Sequence, residues 1–135
     1  MKNISELITL KPLDKKTDHR GWFLKAIDGN EVDNPFSCEV YFTAAKPGES
    51  KGGHYHIKAK EWFTLLKGEA ELTLINTKTD EKLVILLEAN NPMTVFVPEN
   101  VAHVFKNVSK TDDFILAAFT NEKYDPVDTI VYNFS

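Results

Sequence analysis

Short apolar runs recur along the chain, separated by clusters of turn-forming residues. They fall near 4–10, 22–28, 37–45, 53–56, 61–67, 69–76, 82–88, 93–98, 102–107, 113–119 and 128–133. The stretches between them include DHRG, DGNEVDNP, KPGESKGG, NTKTDEK, EANNP, PEN and NVSKTDD, rich in the Gly, Pro, Asn and Asp that turns require. No segment sustains a helical apolar period over eleven or more residues. Many short strands at this spacing, without helices, predict an all-β sandwich or small barrel. No linker, low-complexity tract or internal repeat divides residues 1–135, which predicts a single domain.

Alternation along each strand then assigns faces. In EWFTLLK (61–67), an inward Glu61 carries Phe63 and Leu65 inward and leaves Trp62, Thr64 and Leu66 outside. An outward Trp62 and Leu66 make an apolar patch that a monomer rarely leaves bare. A homodimer, or cover by the N-terminal strand, is expected there. In VAHVFKN (101–107), an inward His103 brings Val101, Phe105 and Asn107 with it and leaves Ala102, Val104 and Lys106 outside.

Composition narrows the classes of partner. At 135 residues the chain suits one domain with a substantial core. Its net charge of −4 offers no electrostatic footprint for nucleic acid. No apolar run approaches the roughly 18 residues a membrane span needs, and MKNISELITLKPLDKK lacks the apolar centre of a signal peptide. Cys38 is the only cysteine and reads as a small core residue. These features predict a cytoplasmic protein without nucleic-acid or membrane partners.

The chemistry concentrates in GESKGGHYHIKAKEWFTLLKG (48–68). His54 and His56 share one face of a strand, and Glu61 follows after the lysine-flanked IKAK bend. His103, if inward, joins them in the same interior. Three imidazoles and a carboxylate form a mixed N/O donor set suited to a divalent ion, zinc or another first-row metal. Tyr41 faces inward if Glu39 and Thr43 do. Lys51, Lys58 and Lys60 flank the histidines in an otherwise acidic chain and are suited to steering an anion.

Written out, Gly48-x5-His54-x-His56-x4-Glu61-x6-Gly68 matches the first cupin motif, and Pro98-x-Asn100-x2-His103-x3-Asn107 resembles the second. Asn100 stands where the pattern prefers Gly, and Pro92 replaces the leading Gly. Asn tolerates the left-handed backbone that such a position asks for. The resemblance implies a cupin jelly-roll β-barrel with the site inside its mouth and His54, His56, Glu61 and His103 as metal ligands. Outside these motifs, DHRGWF (18–23), NPFSCEVYFT (34–43) and KYDPVDTIVYNF (123–134) are similar to segments of the nucleotide-sugar epimerase and ketoisomerase branch. That branch includes the dTDP-4-dehydrorhamnose 3,5-epimerases and the dTDP-4-keto-6-deoxyglucose 3,4-ketoisomerases. GGHYHIKAKEWF also resembles the zinc-binding cupin domain of capsular-polysaccharide enzymes that act on UDP-4-keto-6-deoxy amino sugars.

The branch implies an isomerase acting on a nucleotide-diphosphate 4-keto-6-deoxy sugar in surface-polysaccharide biosynthesis, with no redox cofactor. Arg20 and Lys51 are the expected substrate-binding residues, Arg20 for the diphosphate. With metal bound, Tyr41 is the expected proton carrier; without it, His54 and His56 become the base and its partner. Ketoisomerases carry Arg near Lys51 and often Gln at Glu61, so this chain leans toward the metal-binding members. The alternatives on the same scaffold are a metal-dependent cupin dioxygenase and a non-catalytic sugar-binding cupin. Tyr124 and Asp125 read as a turn before the last strand, and His19 as exposed.

Overall fold

The structure of the protein, a computed structural model, describes residues 14–27 and 38–135. Its strands are β1 (Lys16–Asp18), β2 (Gly21–Ile27), β3 (Glu39–Ala45), β4 (Ser50–His56), β5 (Glu61–Lys67), β6 (Glu69–Asn76), β7 (Lys82–Glu88), β8 (Thr94–Val97), β9 (Val101–Asn107), β10 (Phe114–Thr120) and β11 (Thr129–Val131). There is no helix among the described residues. Two sheets form, ordered β1-β2-β3-β10-β5-β8 and β11-β4-β9-β6-β7, with every pairing antiparallel. This is the all-β jelly roll that the strand pattern and motifs predict.

Each sheet turns one apolar face inward. Phe63 and Leu65 of β5, Leu72 of β6, Phe105 of β9 and Phe114 and Leu116 of β10 meet as one buried cluster. Complete burial of side chains of this size supplies about 1.5–3 kcal/mol each before entropic costs. The alternation expected for β5 holds: Glu61, Phe63 and Leu65 are buried while Leu66 is exposed. On β9, His103, Phe105 and Asn107 are buried together, and Ala102 is fully buried as well despite belonging to the other face.

The strands differ from the sequence reading in two places, and one expectation is not tested. The strand expected at 4–10, with the cover it offered to Trp62 and Leu66, lies outside the described residues. The short β1 was missed because KTD is polar and exposed throughout; it pairs with β2 across the tight turn at His19 and Arg20. β4 begins at Ser50 rather than 53, because Gly52 and Gly53 make a bulge inside the strand instead of a turn before it. Both glycines have positive φ, 97° and 85°, where a β-carbon is strained. The bulge resets the alternation, so Lys51 and His54 line one interior although they are three residues apart.

Asn100 has φ of 66°, the left-handed backbone that its place in the motif calls for. Its amide donates to the His56 carbonyl at 2.7 Å, so the turn into β9 is tied to the end of β4.

Candidate functional site

The sheets enclose a cavity of about 300 Å³ whose apolar part includes Phe63, Phe105 and Leu116. His54 and His56 reach it from β4, Glu61 from the start of β5 and His103 from β9. One ligand atom from each of these four residues lies within 4.8 Å of the others. The imidazole centroids stand 5.0 Å apart for His54–His56 and His54–His103, and 6.0 Å for His56–His103. The four residues singled out in the sequence are brought to one point.

The hydrogen bonds around these side chains decide which nitrogens face that point. His56 Nδ1 lies 3.2 Å from the Asp128 carbonyl, and His103 Nδ1 lies 3.1 Å from the Val101 carbonyl. A carbonyl only accepts, so each Nδ1 carries hydrogen and, in the neutral ring, leaves Nε2 with a bare lone pair. Those two Nε2 atoms are 2.7 Å and 3.5 Å from Glu61 Oε1. Yet Oε1, wholly buried, has no aligned hydrogen-bond donor. Lone pairs and a carboxylate oxygen crowded together this way repel unless positive charge sits among them. A divalent cation meets that requirement, and the donor set suits zinc and its first-row neighbours. The residues present therefore fit a metal, each Nδ1 hydrogen bond being the outer contact that orients a ligating imidazole.

In the metal-free electrostatics the same residues are driven apart. Burial, followed by the neighbouring His103 and His56, pushes His54 down to about 4. Burial also acts to lower His56, but the close Glu61 carboxylate outweighs it and the net shift is upward. Burial opposes ionisation of Glu61, and the close imidazoles of His103 and His56 more than reverse it, holding this carboxyl well below its usual range.

Tyr41 comes up from β3 and donates its hydroxyl to Glu61 Oε2 at 2.9 Å. Burial, then the Glu61 charge, pushes its pKa well above the ordinary value. The inward trio Glu39, Tyr41 and Thr43 is as the alternation implies, and all three line the cavity. Arg20 and Lys51 line it as well. The Arg20 guanidinium is held by Asp18 at 2.7 Å, and the lysine is nearly buried, its pKa lowered by burial and then by Arg20. Lys60 pairs with Glu99 at 3.5 Å, Lys58 is exposed, and so is His19. Tyr124 and Asp125 line the cavity, and Asp125 also serves the turn by accepting the Val127 amide at 2.9 Å.

Two features of the site escaped the sequence reading. Lys25 of β2 pairs with the buried carboxylate of Glu39 at 2.6 Å, at the cavity wall. Asp128, also buried, accepts hydrogen bonds from the amides of Ile57 and Lys58 at 2.8 Å and of Ala59 at 3.1 Å. Cross-strand register brings the first pair together, and the chain returns from 72 residues away to make the His56–Asp128 contact. Local spacing reveals neither.

Comparison with known proteins agrees with the fold and adds a context. The chain is 27% identical over 124 residues to the spore coat polysaccharide biosynthesis protein SpsL of Bacillus subtilis, covering 88% of this chain and 82% of that one. It is 29% identical over 109 residues to a UDP-2-acetamido-2,6-beta-L-arabino-hexul-4-ose reductase of Pseudomonas aeruginosa, covering 81% of this chain but 28% of the reductase. Among solved structures, the capsular polysaccharide assembling protein CapF of Staphylococcus aureus superposes with a TM-score of 0.80 at 26% identity. That match covers 92% of this chain and 33% of CapF, so the chain spans about a third of those longer proteins. The family model described as the polysaccharide biosynthesis C-terminal domain matches residues 16–132. With nearly the whole described jelly roll inside that match, the chain belongs to the polysaccharide biosynthesis C-terminal domain family, on the cupin fold.

Proposed function

We propose that the protein is an isomerase of a nucleotide-diphosphate 4-keto-6-deoxy sugar, epimerising it at C3 or C5 or moving its carbonyl between C3 and C4. The observation that carries this reading is the convergence of His54, His56, Glu61 and His103 beside Tyr41 in a cavity of about 300 Å³. The family's place in polysaccharide biosynthesis supports the substrate class. So does the relative whose name describes a UDP-linked hexul-4-ose.

A 4-keto sugar has acidic hydrogens on C3 and C5, because the resulting carbanion delocalises onto the C4 oxygen. His54, His56, Glu61 and His103 are the residues that would hold a divalent ion. Such an ion supplies Lewis-acid polarisation of a carbonyl, with no change of oxidation state. The chain's own groups handle protons and charge. Burial and Arg20 lower the pKa of Lys51, which suits it to take the C3 or C5 proton. Tyr41, kept as a phenol by its raised pKa, is suited to deliver a proton rather than abstract one, and Glu61 Oε2 steadies its hydroxyl. Arg20, with its guanidinium set by Asp18 at the cavity wall, binds the diphosphate.

One observation favours a second, metal-free route. The opposed shifts make His54 the readier of the two to stay uncharged and His56 the readier to hold a proton, the pattern of an acid–base pair. Incubation with dTDP- and UDP-linked 4-keto-6-deoxy sugars in deuterium oxide tests the isomerase itself. Deuterium entering C3 or C5 is expected, and none on any such substrate overturns the proposal in favour of a dioxygenase or a binding module. Metal analysis of the active protein then separates the two routes.

A further inference from the structure

The four residues between His56 and Glu61 belong to no strand, yet their geometry is tightly specified. The amides of Ile57, Lys58 and Ala59 all donate to the buried carboxylate of Asp128. The fourth amide, of Lys60, donates to Asn121 Oδ1 at 2.9 Å, and the Asn121 amide returns a bond of 3.2 Å to the Lys60 carbonyl. Every backbone N–H of the connection is thus accepted by a side chain from the segment 121–128. The same segment reaches His56 itself, through the Asp128 carbonyl at Nδ1, while β11 pairs Thr129 with His56.

A loop of four residues carrying a ligand at each end cannot fix its own bite, since its amides lack partners among themselves. A charge-assisted hydrogen bond to a buried carboxylate is among the stronger such contacts, and three on one group leave the connection a single conformation. We propose that Asp128 is a positioning residue: its carboxylate clamps residues 57–59, and its carbonyl fixes the His56 tautomer, so that His56 and Glu61 present their ligand atoms at a set separation. Asn121 completes the clamp at Lys60. The inference rests on the reading of His54, His56, Glu61 and His103 as metal ligands, but the clamp itself is visible without metal.

The test compares the full-length chain with Asp128→Asn and Asp128→Ala. Asparagine keeps one acceptor oxygen for Ile57 and Lys58 but turns a donor toward Ala59; alanine removes all three contacts. Zinc affinity is measured by competition with a chromophoric chelator, the ligand field by the visible absorption of bound cobalt, and the connection by hydrogen exchange of amides 57–60 in the metal-free protein. Outer partners of ligating histidines typically contribute about 10–100-fold in affinity, so a loss of that order is expected for alanine and a smaller one for asparagine. The cobalt spectrum should change and amides 57–59 should lose protection.

A purely architectural role gives the opposite result. Both variants would melt at lower temperature while binding zinc at wild-type affinity with an unaltered cobalt spectrum, and that overturns the proposal. If alanine does not fold, the asparagine variant decides alone. Wild type that binds neither ion refutes the metal reading, and amide exchange then decides the clamp: unchanged protection at 57–59 in Asp128→Asn sinks it.

Discussion

The Tyr41 hydroxyl donates to Glu61 Oε2 at 2.9 Å, while the other oxygen of the same carboxylate faces His56 and His103 without an aligned donor. Glu61 therefore has one oxygen satisfied by the protein and one held open. This asymmetry makes glutamate and glutamine unequal here. An amide could still accept from Tyr41, but it would offer the cavity a neutral group in place of the anion.

Glu61→Gln is accordingly expected to fold and to lose metal more severely than the roughly 10–100-fold that removing an outer partner costs. Metal content per chain after gel filtration, against wild type, measures this. Wild-type stoichiometry in the variant would mean that Glu61 is not a ligand. Bound metal lost with activity unchanged would make the ion incidental to the reaction.

Tyr41→Phe deletes the phenolic proton and leaves the ring packed on Phe23, whose centroid is 5.2 Å away. If Tyr41 carries a proton in the reaction, kcat should fall by about 100- to 10,000-fold with metal content little changed. A normal rate of deuterium wash-in would reduce Tyr41 to a support for Glu61.

Arg20→Ala and Lys51→Ala separate binding from chemistry. Loss of one charged contact to a phosphate corresponds to about 1.5–3 kcal/mol, a rise in KM of about 10–100-fold for Arg20→Ala with kcat retained. Lys51→Ala should instead lower kcat if the lysine takes the proton. A KM effect alone in both variants would return Lys51 to the diphosphate.

The metal-stripped protein should lose stability in two pH windows, one on each side of a single maximum. His54 has its folded pKa depressed to about 4 from an ordinary 6.5. Between those values the unfolded chain takes up a proton that the folded chain refuses, so stability falls as the pH drops through that window. His56 has its folded pKa raised, so its contribution is complete below 6.5 and is lost as the pH climbs through the raised value. Thermal melting after chelation should show a maximum near the ordinary histidine pKa. In His54→Gln the slope between about 6.5 and 4.5, above the window in which Glu61 takes up its proton, should flatten; an unchanged slope would assign it to other groups.

The outer face of the six-stranded sheet carries the patch that alternation predicted. Trp62 packs on Phe96 and Phe119 at centroid distances of 5.1 and 5.6 Å, and both phenylalanines remain substantially exposed, as does Leu66. A second copy of the chain is the proposed cover. Light scattering is expected to give a dimer that Phe119→Glu weakens. A monomer at all concentrations would leave the patch to residues 1–13 or to another partner.

The four candidate ligands were legible because their chemistry lies in the side chains and most of their spacing is local. Alternation sufficed for Glu61, Phe63 and Leu65, and for His103 with Phe105 and Asn107. What stayed hidden depends on backbone groups or on register. Asp128 acts on amides 69–71 residues away, and amides carry no sequence signature. Lys25 and Glu39 meet only because of how β2 and β3 are aligned. The double glycine resembled turn punctuation until its place inside β4 was seen.

The first glycine of that pair also bears on the width of the site. A β-carbon at Gly52 would lie 2.8 Å from the carbonyl oxygen of His103. The two strands that carry three of the four candidate ligands touch there, backbone against backbone. Any side chain at 52 must wedge β4 from β9 and so part His54 from His103 without touching either ring. The aperture between imidazoles on different strands is thus governed by a missing atom, and a search for residues that tune this pocket would pass over the position where nothing projects.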